Sequence, residues 1–325
     1  MNLSYLACGM LLLSPFVFPI KETNLPVVKK AAVAVALVFK STDAGQSWQN
    51  ISEGLPQTWQ ADNIPAEGFF ADDNGLFVRA GTGVYQNKQA SGTWNKEIFP
   101  AKQVSITPGR SGIFAYNSSG DFLHKITGTL TWSPVYTNFK YSGVRSIFET
   151  EKGTVLIGSD YGLFKSGDRG KTWKALSAGA MIMKIVESNG ILLATGRDGI
   201  LRSSDDGESW DRVLHKGGVG IQVERIEGGF AAIVYDTKLN ARIIRASYDG
   251  GKTWQPVDIG LKPDPLIASI VELGGSFYCG HPDGVYKSSD KGKTWKLIFA
   301  SVDNLVFNLF VSGNVLYAIP RNGGC

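Results

Sequence analysis

The chain has 325 residues, 39 of them glycine, with 11% aromatics, 19% charged residues and a net charge of +4. Many glycines and no long apolar pattern of 3.6-residue period exclude a helical bundle and fit short strands joined by tight turns. The positive charge forms no basic stripe interleaved with stacking aromatics, which argues against a nucleic-acid partner.

Residues 1–30 read as a leader. LACGMLLLSPFVF (6–18) is too short for a membrane span. It is similar to the apolar region of a secretory signal, although no Lys or Arg precedes it and no small-x-small cleavage site follows directly. Export to the periplasm, cell surface or medium is expected, with no integral span. Cys8 lies in this leader. From residue 31 to 325 the chain reads as one domain.

LVFKSTDAGQSWQNI (37–51) opens it with a strand, a polar turn and a second strand. A long linker, LPQTWQADNIPAEG (55–68), carries Trp59, either a stacking platform for a sugar or peptide or a residue that packs the loop down. NKQASGTW (87–94) and KITGTLTW (125–132) keep only the end of the polar turn. The turn then recurs in full. SGDRGKTW contains Ser166, Asp168, Gly170 and Trp173, and SSDDGESW contains Ser203, Asp205, Gly207 and Trp210. SYDGGKTW contains Ser247, Asp249, Gly251 and Trp254, and SSDKGKTW contains Ser288, Asp290, Gly292 and Trp295. The first copy, STDAGQSW, has Ser41, Asp43, Gly45 and Trp48. The seven closing tryptophans are 46, 38, 41, 37, 44 and 41 residues apart. A period of roughly 40–45 residues with several strands per unit is that of a propeller blade.

The residue types explain the turn. Ser at the first position and Asp at the third bond nearby backbone N–H groups. Gly at the fifth permits a positive φ. Trp anchors the hairpin through its large apolar area. Seven equivalent corners call for a structural device rather than one catalytic or calcium site. The lysines in or beside the turns (Lys171, Lys252, Lys291, Lys293) read as solvated surface.

The clearest unit is 181–214. Met181–Glu187 is a first strand and Ile191–Thr195 an apolar second strand. Ile200–Arg202 begins a third, and Trp210–Leu214 is the fourth. At the C-terminus, SGNVLYAIPRNGGC (312–325) aligns on SNGILLATGRDGIL and stops where a third strand should begin. Residues 37–51 supply a third and fourth strand without a first or second. The two halves make one blade, so the expected fold is all-β: a seven-bladed β-propeller of four-stranded antiparallel blades, closed by strands from both termini.

The five full turns resemble the Asp-box, or bacterial neuraminidase repeat, over about residues 33–325. That repeat occurs in sialidases, xyloglucan-hydrolysing propellers, sortilin-type receptors and photosystem II assembly-factor-like propellers. The resemblance implies a propeller of the sialidase-like superfamily, with ligands on the face opposite the boxes. Sialidases are six-bladed, with an Arg-Ile-Pro motif and three arginines around the substrate carboxylate. This chain lacks that motif, and nothing makes Arg145, Arg197 and Arg321 a triad. Xyloglucan-hydrolysing members place a cleft between two propellers, and here there is one ring.

A glycosidase needs two carboxylates at a fixed separation. Asp160, Asp198 and Asp283 are better read as turn formers, and GRSG and GRDG as tight turns. His124, His215 and His281 show no ligand spacing, no CxxC exists, and neither metal nor cofactor is expected. Cys279 reads as a buried strand residue, with a Cys279–Cys325 disulfide left open. The leading reading is a non-enzymatic binding or assembly-scaffold propeller that recognises a protein or glycan. The alternative is a glycoside hydrolase, sialidase-like or xyloglucanase-like. The binding residues expected on one rim, opposite the boxes, are Tyr161, Arg197, Tyr235, His281 and Arg321.

Overall fold

Each apolar run between the turns is a strand. The computed structural model describes residues 37–321 except 57–67, 73–74, 82, 89–92, 98–103, 118–120, 138–142, 177–180 and 302–303. The leader, Cys8, Trp59 and Cys325 therefore lie outside the described residues. All the described residues belong to the unit 34–325, and no α-helix occurs among them.

The strands form seven four-stranded antiparallel sheets. Blade 1 comprises β3 (Phe69–Asp72), β4 (Gly75–Ala80), β5 (Gly83–Asn87) and β6 (Asn95–Lys96). Blade 2 comprises β7 (Ser105–Gly109), β8 (Gly112–Tyr116), β9 (Phe122–Ile126) and β10 (Ser133–Pro134). Blade 3 comprises β11 (Val144–Glu149), β12 (Val155–Ser159), β13 (Gly162–Ser166) and β14 (Lys174–Leu176). Blade 4 comprises β15 (Ile182–Ser188), β16 (Ile191–Gly196), β17 (Gly199–Ser203) and β18 (Asp211–Leu214). Blade 5 comprises β19 (Gly217–Ile226), β20 (Gly229–Asp236), β21 (Ala241–Ser247) and β22 (Gln255–Pro256). Blade 6 comprises β23 (Ser269–Leu273), β24 (Ser276–His281), β25 (Gly284–Ser288) and β26 (Lys296–Ala300).

Blade 7 is composite. Its order is β27 (Val306–Ser312), β28 (Val315–Arg321), β1 (Phe39–Ser41) and β2 (Gln49–Asn50). Phe39 pairs with Ala318, Lys40 with Tyr317 and Ser41 with Leu316. The first strands touch in a cycle, β3, β7, β11, β15, β19, β23, β27 and back to β3. A closed ring leaves no open end at which a blade face would be exposed to another chain.

The core lies between blades. Seven apolar clusters occupy the seven blade interfaces. Leu156 and Leu163 of blade 3 meet Leu192 and Ala194 of blade 4. At the closure, Val38, Tyr317 and Ile319 of blade 7 pack on Phe69, Val78 and Trp94 of blade 1. Second strands are sandwiched on both faces, which is why they read as continuous apolar runs. Cys279, in β24, is fully buried, and burial pushes its thiol well above the ordinary range.

Polar ties run across the same interfaces. The residue just before three of the boxes reaches the fourth residue of the next blade's box. Lys165 Nζ donates to Asp206 O (2.7 Å), Arg202 Nε to Gly250 O (2.8 Å) and Lys287 Nζ to Ala44 O (3.2 Å). At the end of three first strands a glutamate receives a backbone N–H from the preceding blade. Ser111 N donates to Glu149, Glu151 N to Glu187 and Glu227 N to Glu272, at 2.9, 2.6 and 2.5 Å.

Candidate functional site

In an up-and-down blade, the turns after the first and third strands share one end. The turn after the second strand and the link to the next blade share the other. All five full Ser-x-Asp-x-Gly-x-Thr/Ser-Trp turns join third to fourth strands, so one end of the ring is built from them.

Their geometry is nearly the same five times. In SGDRGKTW, Ser166 Oγ donates to Asp168 Oδ1 (2.8 Å) and accepts from Gly170 N (2.7 Å). Asp168 also accepts from Thr172 N (2.8 Å) and Thr172 Oγ1 (2.6 Å). Trp173, Trp210 and Trp254 donate Nε1–H to the box glycine carbonyl at 3.2, 2.9 and 3.1 Å. The fourth and fifth residues are both left-handed: φ is 62° at Arg169 and 84° at Gly170, 58° at Asp206 and 84° at Gly207. Two successive positive φ values of about 60° and 90° are those of a type I′ turn, here set inside the longer loop between the third and fourth strands. A Cβ on Gly292 would lie 2.1 Å from Val257 O of blade 5, so this position must also lie flush with its neighbour. The donors hold the carboxyls of Asp43, Asp168 and Asp290 down at about 2, with the Ser47, Thr172 and Thr294 hydroxyls contributing most. Asp205 and Asp249 are lowered further, chiefly by Ser209 and Thr253. Every acceptor on these aspartates faces its own turn, which suits a structural corner.

The opposite end holds the five residues anticipated for binding, each at or just beyond the end of a second strand. Tyr161, in the β12–β13 turn, is 74% exposed, and its N–H is held by Ser159 Oγ at 3.1 Å. Arg197, in the β16–β17 turn, is exposed, with its N–H on Met181 O at 3.0 Å. Tyr235, on β20, is half-buried, and its hydroxyl donates to Asn240 Oδ1. Arg321, ending β28, is half-buried.

His281 departs from the expectation of an open binding side chain. It is 1% exposed. Its Nε2 is 3.1 Å from Lys262 O, and its Nδ1 accepts from Asp283 N at 3.1 Å. The ring fastens the β24–β25 turn to the link between blades 5 and 6 and offers no surface to a ligand. The reason is local: His281 continues the apolar run Phe277–Tyr278–Cys279, whose side chains are fully buried.

A feature with no mark in the sequence lies beside Tyr161. The first strands of blades 3, 4 and 5 each carry a register shift near the start, at Val144/Ser146, Ile182/Lys184 and Gly220/Gln222. Bulges re-aim side chains. The residue within the first shift is Arg145, whose Nε donates to Asp160 Oδ1 at 2.6 Å.

Other aspartates of this end are likewise engaged. Asp198 pairs with Arg212 (3.2 Å). Asp236 accepts from Lys238 N (2.9 Å) and Leu239 N (3.2 Å), and Asp264 from Leu266 N (2.7 Å). Asp283 donates its N–H to His281 Nδ1 and accepts from Tyr286 OH at 3.2 Å. Asp160, Asp198 and Asp283, which the sequence reads as turn formers, all lie in second-to-third-strand turns, and the carboxylates of Asp160 and Asp198 in addition pair with arginines. Among the described residues no group of three or more His, Cys, Asp or Glu could hold a metal ion, and no helix is long and apolar enough to cross a membrane.

No protein-family model matches this sequence, and no curated protein matches it. Its fold is shared with solved structures. The GH74 xyloglucanase from Xanthomonas campestris is 13% identical with a TM-score of 0.63, over 80% of this chain and 50% of the enzyme. The extracellular domain of a hybrid two-component system from B. thetaiotaomicron is 12% identical with a TM-score of 0.65, over 89% of this chain and 41% of that one. YCF48 from Cyanidioschyzon merolae is 12% identical with a TM-score of 0.56, over 77% of this chain and 93% of its own. The chain thus spans half or less of the first two and most of the third. At these identities the likeness is one of fold.

Proposed function

We propose that this protein is a non-enzymatic binding or assembly-scaffold propeller that recognises a protein partner on the rim opposite its Ser/Asp turns. Those turns are read as the Asp-box repeats of the sialidase-like superfamily, here serving structure alone. The observation that carries the reading is Tyr161. A large aromatic left 74% exposed, on a turn fixed by Ser159 and flanked by the Arg145–Asp160 pair, offers amphipathic contact area at little ordering cost. Tyr and Arg are the residues that dominate interface energetics. Arg197 stands on the equivalent turn of the next blade. A structure of YCF48 is known with the D1 peptide bound, and this chain matches 96% of it at 13% identity and a TM-score of 0.52. A ring of this size can therefore take a peptide. The extracellular-domain neighbour is in keeping with export.

The rival reading, a glycoside hydrolase acting on extracellular glycans, has the xyloglucanase fold behind it. A single comparison separates the two. A Tyr161→Ala/Arg197→Ala variant should melt like the parent and lose at least roughly tenfold in affinity for an identified protein partner. Full affinity in that variant overturns the reading. Turnover of xyloglucan or sialosides by the parent establishes the rival.

A further inference from the structure

We propose that Arg79 forms an anion site between blades 1 and 2, on the end opposite the Ser/Asp turns, and that this site takes a single carboxylate. The site goes beyond the rim reading above and is tested apart from it. Arg79 stands one residue before the end of β4, opposite Val84. The corresponding residues of blades 3, 4 and 6 are small: Gly158 opposite Leu163, Thr195 opposite Ile200 and Gly280 opposite Val285. The two glycines are crowded. A Cβ on Gly158 would lie 2.9 Å from Ile182 O, and one on Gly280 1.9 Å from Phe307 O, so the first strand of the next blade presses on this position. In blade 1 the same position holds an arginine. Phe77, two residues before it, and Val84, across from it, both pack with Val104 and Ile106 of blade 2. Side chains two apart along a strand, or directly across a ladder, share a face. Arg79 therefore points at the blade 2 interface, and its bulk keeps the first strand of blade 2 from pressing as closely.

The guanidinium has no counterpart in the ring. Its Nε is closed off from solvent without a hydrogen bond, and Arg79 enters none of the ion pairs among the described residues. Other arginines are answered. Arg145, Arg212 and Arg245 each have an aspartate, and Arg202 and Arg242 each donate to a backbone carbonyl. Burial alone lowers the Arg79 pKa from its ordinary value, yet an arginine stays protonated in a protein. A half-buried cation against Phe77 and Val84 is costly unless an opposite charge meets it.

The turn that follows Arg79 leaves a way in. Its sequence is AGTG (80–83), where the equivalent turns carry Asp160-Tyr161, Arg197-Asp198 and Pro282-Asp283. A Cβ on Gly81 would meet nothing within 4 Å. The planar fork of N–H donors matches a carboxylate. One isolated positive charge balances one carboxylate. A phosphate monoester brings about −1.5 to −2 at pH 7 and would be left undercompensated in these apolar surroundings.

The carboxylate can belong to a free small acid or to a chain docked on the rim, and the test separates the two. The full chain is melted in sodium acetate from about 1 mM to about 100 mM, with chloride keeping the ionic strength constant. The melting temperature should climb by about 2–4 °C per tenfold rise in acetate once the site fills. Arg79→Met keeps the stem and removes the charge. It should lose the climb and, without acetate, melt no lower than the parent, because it removes an uncompensated cation. Arg79→Lys, which keeps the charge without the fork, should bind acetate roughly tenfold more weakly. Lys171→Gln, on the box end, should climb like the parent. No climb in the parent, or an equal climb in Arg79→Met, overturns the site. So does an Arg79→Met chain that melts several degrees below the parent, since the guanidinium would then be structural. A larger climb in sodium phosphate than in acetate overturns the carboxylate assignment. An identified partner of the rim that loses roughly tenfold in affinity in Arg79→Met supplies the carboxylate itself. Unchanged affinity, with the acetate climb present, assigns the site to a free acid. Tyr161→Ala/Arg197→Ala should keep the acetate climb, so failure of the rim reading and failure of this site are distinct results.

Discussion

Blades 3 to 7 carry the full turn and blades 1 and 2 do not, yet all seven keep the closing tryptophan. In blade 4 the turn is a closed polar unit: Ser203 Oγ bonds Asp205 (2.7 Å) and Gly207 N (2.9 Å), and Trp210 bonds the glycine carbonyl. In blade 1 the sequence NKQASGTW has neither the first-position Ser nor the third-position Asp. Trp94 is instead 6% exposed and sends its Nε1–H across the closure to Ile51 O at 2.6 Å. In blade 2, Lys125 stands where the serine would be. It pairs with Glu97 of blade 1 (2.8 Å) and lies over Trp132. Anchor and turn are thus separable. The tryptophan serves the packing between blades, whereas the Ser/Asp network fixes the hairpin's own turn and can be replaced when a neighbour supplies the contact.

The largest effect should come from breaking the ring where a boxed blade meets an unboxed one. Removing residues 304–325 takes away β27 and β28, and with them the partner of β1 and the apolar contacts of Tyr317 and Ile319 with blade 1. Loss of the cooperative transition in calorimetry, or aggregation, is expected. A truncated chain that melts like the parent would show that closure contributes nothing.

Next come the anchors. Trp94→Ala and Trp210→Ala should each destabilise by about 3–5 kcal/mol in urea titrations. Trp94 should cost more, because it is the more buried and its N–H bridges two blades. The reverse order would mean that the turn, not the interface, sets the value of the tryptophan.

Acid sharpens the comparison further. The box carboxyls have folded-state values below the ordinary 3.8, near 2 for Asp43, Asp168 and Asp290. Such groups stabilise the fold above about pH 4, and that contribution is lost as pH falls toward 2. Asp168→Asn should lower the melting temperature at pH 7 but flatten its fall between pH 4 and pH 2. Glu187 should behave oppositely. Burial, with the nearby Glu151 and Asp206 charges, raises its carboxyl. Its contribution is present at low pH and lost as pH rises, so Glu187→Gln should not lose stability at pH 7. A parallel acid limb in Asp168→Asn and the parent would refute the role given to the box aspartates.

Much of this architecture was legible in the sequence because a blade repeats its own chemistry. The tryptophan spacing gives the blade count, the apolar run Ile191–Thr195 gives a strand buried on both faces, and the half-blades at the two ends give the closure. What escaped is what passes between repeats. Lys165, Arg202 and Lys287 carry no mark of their own in the sequence, but each ties its blade to the next over 41 to 243 positions. Glu149, Glu187 and Glu272 are similarly silent until the neighbouring turn is in place. The left-handed fourth residue is hidden because Ala44, Arg169, Asp206 and Lys291 share no side-chain chemistry, only a backbone demand set by the glycine that follows. On the candidate rim, turn position was readable from the repeat and side-chain direction was not, which is why His281 reads as a surface group and is buried.

The smallest effect isolates the turn itself. At the sixth box position the five full copies place Gln46, Lys171, Glu208, Lys252 and Lys293, all polar. Blade 2 places Leu130 there, 90% exposed. A side chain that stays in water in the folded state gains nothing from the hydrophobic effect on folding. Neither does it carry any of the turn's own hydrogen bonds, since in the full copies this residue gives the turn only its backbone, as Lys171 N does to Asp168 at 3.0 Å, and the one paired side chain, Glu208, reaches the lysines of blade 3 instead. Leu130→Lys should therefore shift stability by no more than about 0.5 kcal/mol, the ordinary range for surface changes. A loss of several times that in urea titration would mean that Leu130 is covered in solution, and that blade 2 has exchanged its Ser/Asp network for an apolar contact.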